Sequence, residues 1–98
     1  MVKHIILWKL KEEYNNDGIK KAIKSNLEGL KGKIPGLLDI KVQIDKLESS
    51  NVDVMLCSAF ADEEALKGYS VHPTHVEVAN TKVRPFTETR SCMDFYVD

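Results

Sequence analysis

The stretch Val2-Lys3-His4-Ile5-Ile6-Leu7-Trp8-Lys9-Leu10 decides the fold. Branched and aromatic residues dominate it, which predicts a β-strand. Alternation places Val2, His4, Ile6, Trp8 and Leu10 on one face and Lys3, Ile5, Leu7 and Lys9 on the other. Both faces carry apolar groups at mid-strand, so both sides of the sheet need a cover.

The next segment, 12–18, is polar and turn-like. Asp17 then reads as the N-cap of a helix that carries Ile19, Ala22, Ile23, Leu27 and Leu30 at helical spacing. Its Lys20, Lys21, Lys24, Glu28 and Lys31 read as a solvated face. Gly32 and Pro35-Gly36 stop it. Leu38, Ile40, Val42 and Ile44 alternate with Asp39, Lys41, Gln43 and Asp45, a half-buried strand. A turn at 48–51 leads into a second, more apolar strand, 52–60, and the two predict an antiparallel hairpin. Asp62, followed by Glu63 and Glu64, reads as the N-cap of a short helix ending near Tyr69. Pro73 restarts a helix bearing Val76, Ala79 and Val83, and Pro85 ends it. Residues 87–97 form the last strand, with Cys92, Asp94 and Tyr96 on one face and Met93, Phe95 and Val97 on the other.

Strand, helix, strand, strand, helix, strand is the α+β, ferredoxin-like order. It predicts a four-stranded antiparallel sheet with helices on one face. The second apolar face is then left bare, and a homodimer joined through its sheet faces covers it.

Ninety-eight residues make one domain, 1–98. Fourteen basic and fifteen acidic residues leave a net charge of -1, which lacks the basic face a nucleic-acid partner needs. No apolar run approaches the roughly 20 residues of a membrane span, and the N-terminus does not read as a signal peptide. Cys57 and Cys92 each lie in an apolar run and read as reduced, buried thiols of a cytoplasmic protein.

Two of the three histidines fall in Gly68-Tyr69-Ser70-Val71-His72-Pro73-Thr74-His75. Histidine titrates near neutral pH, so chemistry is sought here first. Two histidines three apart do not complete a metal site, and no metal or cofactor is expected. His72 reads as a structural residue at a helix start. His75, in the first turn, reads as a neutral ring able to accept a proton, because the helix dipole disfavours its protonation there. His4 and Tyr69 each have an ordinary core role beside a functional one. Asp94 pairs with a histidine, with Arg84 or Arg90, or stays solvated.

The opening strand resembles the start of the stress-responsive dimeric α/β-barrel (Dabb) family. So do Ile34-Pro35-Gly36, Phe60-Ala61-Asp62-Glu63-Glu64-Ala65-Leu66, and Tyr69 with His72-Pro73-Thr74-His75-Val76. The resemblance implies a ferredoxin-like homodimer whose two sheets close into a barrel. A related plant branch contains polyketide cyclases of the olivetolic acid type, whose site maps onto His4, Tyr69 and His75. Through that branch it implies His75 as base, Tyr69 as oxyanion donor and His4 as orienting group for a small apolar or polyketide-like ligand. The leading expectation is a small homodimer with a ligand cavity. A cyclase- or lyase-like enzyme using those three residues is the alternative, and a non-catalytic stress-protective oligomer is a third.

Overall fold

The computed structural model describes residues 1–97. Its main elements are β1 (Val2–Leu10), α1 (Asp17–Glu28), β2 (Leu37–Gln43), β3 (Val54–Phe60), α2 (Glu63–Val71), α3 (Pro73–Val78) and β4 (Thr87–Tyr96). The four strands form one antiparallel sheet in the order β2-β3-β1-β4. The ferredoxin-like architecture is as the sequence predicts.

The two faces of β1 divide as alternation requires. Val2, His4, Ile6, Trp8 and Leu10 are buried towards the helices, while Lys3, Ile5 and Leu7 are half-buried on the other side. The core between the layers joins the inner β1 residues to Ile40 and Val42 of β2, Val54, Leu56 and Phe60 of β3, and Ile23, Leu27 and Leu30 of the first helix and the turn after it. Burial at about 25 cal/mol per Å² of apolar surface makes this layer contact the main stabilising term.

Several local expectations are corrected. Asn16, not Asp17, caps α1: its Oδ1 accepts from the Ile19 N–H at 2.9 Å, and Asp17 becomes the first helical residue, with its charge at the positive end of the dipole. Leu38 is half-exposed and Leu37 buried in its place, because a bulge between Leu37 and Asp39 inserts one extra residue and flips the parity. The polar face of α1 is not simply solvated. β2 is an edge strand, and at Val42 its N–H donates to Glu28 (2.9 Å) while its carbonyl accepts from Lys24 Nζ (2.6 Å). Helix side chains thus satisfy edge groups that would otherwise invite another strand. Pro85 does not end α3 outright. The helix widens into a π-type turn over Ala79–Val83, and Pro85 lies inside the following 3-10 turn, Arg84–Phe86.

The β2–β3 connection is anchored by Asp53. This buried carboxylate accepts from the Leu10 N–H (2.8 Å), Lys46 Nζ (2.8 Å) and Asn15 Nδ2 (3.3 Å). Gly36 takes φ +79°, and a β-carbon there would fall 2.4 Å from Ala65 Cβ, so only glycine lets the chain pass under α2.

Candidate functional site

The helices cover β1 to β3 and leave β4 largely bare; nearly every β4 residue is exposed. The register sets Arg90, Cys92 and Asp94 beside Trp8, Ile6 and His4 on the helix-facing side. A groove of about 600 Å³ therefore opens between β4 and α2, with Arg90, Cys92 and Asp94 on one wall and Leu66, Lys67 and Ser70 on the other. Behind it lies a smaller chamber of about 140 Å³, which holds roughly five waters' worth of space. Groove and chamber share His4, Leu66, Ser70 and Arg90.

The structure brings His4, Tyr69 and His75 together on the chamber wall. The Tyr69 ring stacks on His75 with centroids 4.0 Å apart and meets His4 edge-on at 6.1 Å. Tyr69 is 2 % exposed. Its hydroxyl and His75 Nδ1 are both buried and find no hydrogen-bond partner among the described residues.

Their surroundings fix their protonation. Burial pushes the Tyr69 phenol far above its ordinary value, only partly offset by Arg90, so the group stays a neutral O–H donor. Burial lowers His75 below its usual 6.5, and the neighbouring Arg84 and His4 lower it further; the Ser70 and Tyr69 carbonyls lie near enough to oppose this but form no hydrogen bond to Nδ1. The ring is neutral at pH 7, as the sequence suggested, though burial rather than the helix dipole is the leading cause.

His72 caps α3: its Nδ1 accepts from the Thr74 N–H at 3.1 Å. Its role is structural, as expected. Asp94 takes the first of its three open options and bonds His4 Nδ1. That contact directs Nδ1 at the carboxylate, which orients the ring. Only the pairing of β4 with β1 reveals it, since 90 residues separate the two. Cys92 is exposed rather than buried, because no helix covers its strand. Cys57 and Cys92 are free and face opposite sides of the sheet. Arg84 and Arg90, the other partners open to Asp94, instead supply the charge on the chamber wall.

Fold and site together define a ferredoxin-like α+β domain with a histidine- and tyrosine-lined chamber between its layers. Residues 2–97 match the stress responsive A/B barrel domain, and the chain belongs to that family. A dimeric ferredoxin-like protein of unknown function from Bacteroides fragilis superposes with a TM-score of 0.87 at 29% identity, over 98% of this chain and 95% of that one. An Arabidopsis thaliana protein gives 0.86 at 21% identity, over 100% and 96%. Hydroxynitrile lyase from Passiflora edulis gives 0.83 at 16% identity, over 99% and 93%. No curated protein matches the sequence significantly. Among the described residues, no helix is long and apolar enough to cross a membrane.

Proposed function

We propose that this single-domain chain forms a homodimer through its outer sheet face, and that each copy binds a small carbonyl compound in the chamber and moves a proton on it. The observation that carries the reading is the pair of orphaned polar atoms, Tyr69 Oη and His75 Nδ1, at one small cavity. An unsatisfied buried polar group costs about 1–3 kcal/mol. A ligand that accepts from the phenol and approaches the imidazole recovers that cost.

The chemistry follows from the residue states. Neutral His75 removes a proton next to a carbonyl. The oxygen then gains negative charge, and the Tyr69 hydroxyl donates to it from a buried position, where such a bond is stronger than in water. His4, held by Asp94, orients the ligand or the phenol. Arg84 and Arg90 favour an anionic intermediate. The chamber is too small for an extended ligand, so a polyketide-like molecule would place its reacting end inside and its tail in the groove. The lyase among its structural relatives supports carbon–carbon bond chemistry on this fold only by analogy.

The outer face supports the dimer. Ile5, Leu7, Met55, Cys57, Met93 and Phe95 share it by register, and Met93 is 67% exposed in the single chain. The dimeric relative from Bacteroides fragilis has the same fold. The setting is read as cytoplasmic from the sequence; Cys57 and Cys92, on opposite faces of the sheet, do not pair within one chain.

The test is deuterium exchange at the α-carbon of aryl methyl ketones, followed by NMR. Exchange above the buffer rate that collapses in His75→Gln and Tyr69→Phe is expected. Ketone binding without enhanced exchange would leave a binding domain and remove the enzyme.

A further inference from the structure

The groove wall on β4 holds chemistry that the proton-transfer reading does not use. Cys92 Sγ lies 3.5 Å from Asp94 Oδ1 and 3.8 Å from His4 Nδ1. Asp94 and His4 are themselves hydrogen-bonded, and the three donor atoms all fall within 4.8 Å of one another. The fold produces this convergence directly. Cys92 and Asp94 are two apart on β4 and so share a face, and the antiparallel register sets His4 opposite Asp94. We propose that His4, Cys92 and Asp94 form a binding site for a divalent ion of the zinc type, with a fourth coordination position open to the groove.

The donor set argues for that class of ion. Imidazole nitrogen, thiolate sulfur and carboxylate oxygen suit zinc or cobalt, whereas magnesium and calcium prefer oxygen alone. The spacing agrees. Bonds of about 2.3 Å to sulfur and about 2.0–2.1 Å to nitrogen or oxygen, at tetrahedral angles, place sulfur about 3.5 Å from each of the other donors. Both observed sulfur distances lie close to that value. The imidazole–carboxylate pair is tighter than a shared ion allows, but the Asp94 side chain is 43% exposed and free to rotate outward. Three protein ligands and one open position is the pattern of an accessible rather than a closed site.

The protons balance. In the ligand-free protein the Cys92 thiol donates to Asp94 Oδ1. On binding, the thiol loses its proton and the sulfur lone pair goes to the metal. Nδ1 of His4, which faces Asp94 in the ligand-free protein, gives up any proton it carries to Nε2 or to solvent and becomes a ligand. The thiol proton is released to solvent with each ion bound. Thiolate and carboxylate together neutralise the dication, which leaves the Arg90 charge unopposed by the bound ion.

Chelator-treated protein titrated with Co²⁺ tests the site. The expected result is one ion per chain, a sulfur-to-cobalt charge-transfer band in the near ultraviolet, intense tetrahedral visible bands, and bleaching by Zn²⁺. Cys92→Ser should abolish the charge-transfer band, Asp94→Asn should weaken binding at least tenfold, and Cys57→Ser should leave the spectrum unchanged. Both Cys92 and Asp94 are exposed, so these variants fold even where His4→Gln does not. Absence of the band would overturn the proposal, as would a band that survives Cys92→Ser or is indifferent to Asp94→Asn. Tyr69→Phe and His75→Gln should keep the cobalt spectrum, so failure of the metal site and failure of the proton-transfer reading are read separately.

Discussion

Replacing Tyr69 with phenylalanine should stabilise the ligand-free protein while damaging its site. The ring makes the packing contacts, stacking on His75 at 4.0 Å and meeting Phe60 at 5.0 Å, and phenylalanine keeps both. The hydroxyl is buried without a partner among the described residues. Leaving such a group unsatisfied costs about 1–3 kcal/mol, so its removal should raise stability by up to that amount. For a chain of this length, 1 kcal/mol corresponds to about 4–8 °C in Tm. Denaturant melts at fixed protomer concentration, with an unchanged m-value, measure the effect. The same change removes the hydrogen bond to a bound carbonyl. Affinity for an aryl methyl ketone should fall about tenfold, and proton exchange by about 10²–10³ if the phenol stabilises an oxyanion. Most buried Tyr→Phe changes destabilise, so the sign is diagnostic. A loss of 1 kcal/mol or more would refute the reasoning, because it would mean that the hydroxyl already has a partner. Tyr69→Ala is no substitute: it opens a cavity and should cost about 3–5 kcal/mol for reasons unrelated to the hydroxyl.

His75 is held below its ordinary 6.5 by burial, so the folded protein binds fewer protons there than the unfolded chain. Its contribution is fully present above pH 6.5 and declines as pH falls through the lowered folded value; pH-dependent melts of His75→Gln should lose that slope. At Asp53, burial raises the pKa, but Lys46 and the Leu10 N–H outweigh it and leave the carboxyl below its ordinary 3.8. Its stabilisation is present above pH 3.8 and lost as pH falls below it, so Asp53→Asn should flatten the acid limb, and Asp53→Ala should cost about 1–3 kcal/mol by stranding the Leu10 N–H. Gly36→Ala should lose about 2–4 kcal/mol in urea melts, from positive φ plus the clash with Ala65, while Gly32→Ala, at φ +84° with open space around it, should lose only about 1–2 kcal/mol. Met93→Glu on the bare sheet face should convert a dimer to a monomer in sedimentation at micromolar concentration; a wild-type monomer would sink the facing-sheet arrangement.

The fold was legible because its determinants are local. Alternation in 2–10 marks a strand with two apolar faces, and helical spacing from Ile19 to Leu30 marks its neighbour. Pro73 preceded by His72 marks a helix start, and all three survive in the structure. The errors fall where a single residue changes the local geometry. One bulge at Leu38 exchanges its role with Leu37, and a one-residue shift moves the α1 cap from Asp17 to Asn16. Neither leaves a periodicity to detect. The Lys24–Glu28 clamp on Val42 was invisible for a different reason: a lysine and glutamate four apart read as a solvated pair until the adjoining strand is known to be an edge.

The site was half legible, and the division has a physical cause. Tyr69 and His75 lie in one short segment, so their meeting is a local event. His4 joins them because alternation turns it inward from β1. The groove depends on something no pattern in β4 announces. The helices stop short of that strand, so its inner residues face solvent although their parity is that of a core face. A half-covered sheet therefore yields both a recessed chamber beneath the helices and a solvent-facing wall beside them, with His4 on the boundary. One imidazole then touches the orphaned phenol side and the Asp94–Cys92 side at once, and an ion held by the second withdraws it from the first. Zinc should accordingly slow ketone proton exchange in the wild type and leave Cys92→Ser insensitive. Equal inhibition of both would place the ion elsewhere.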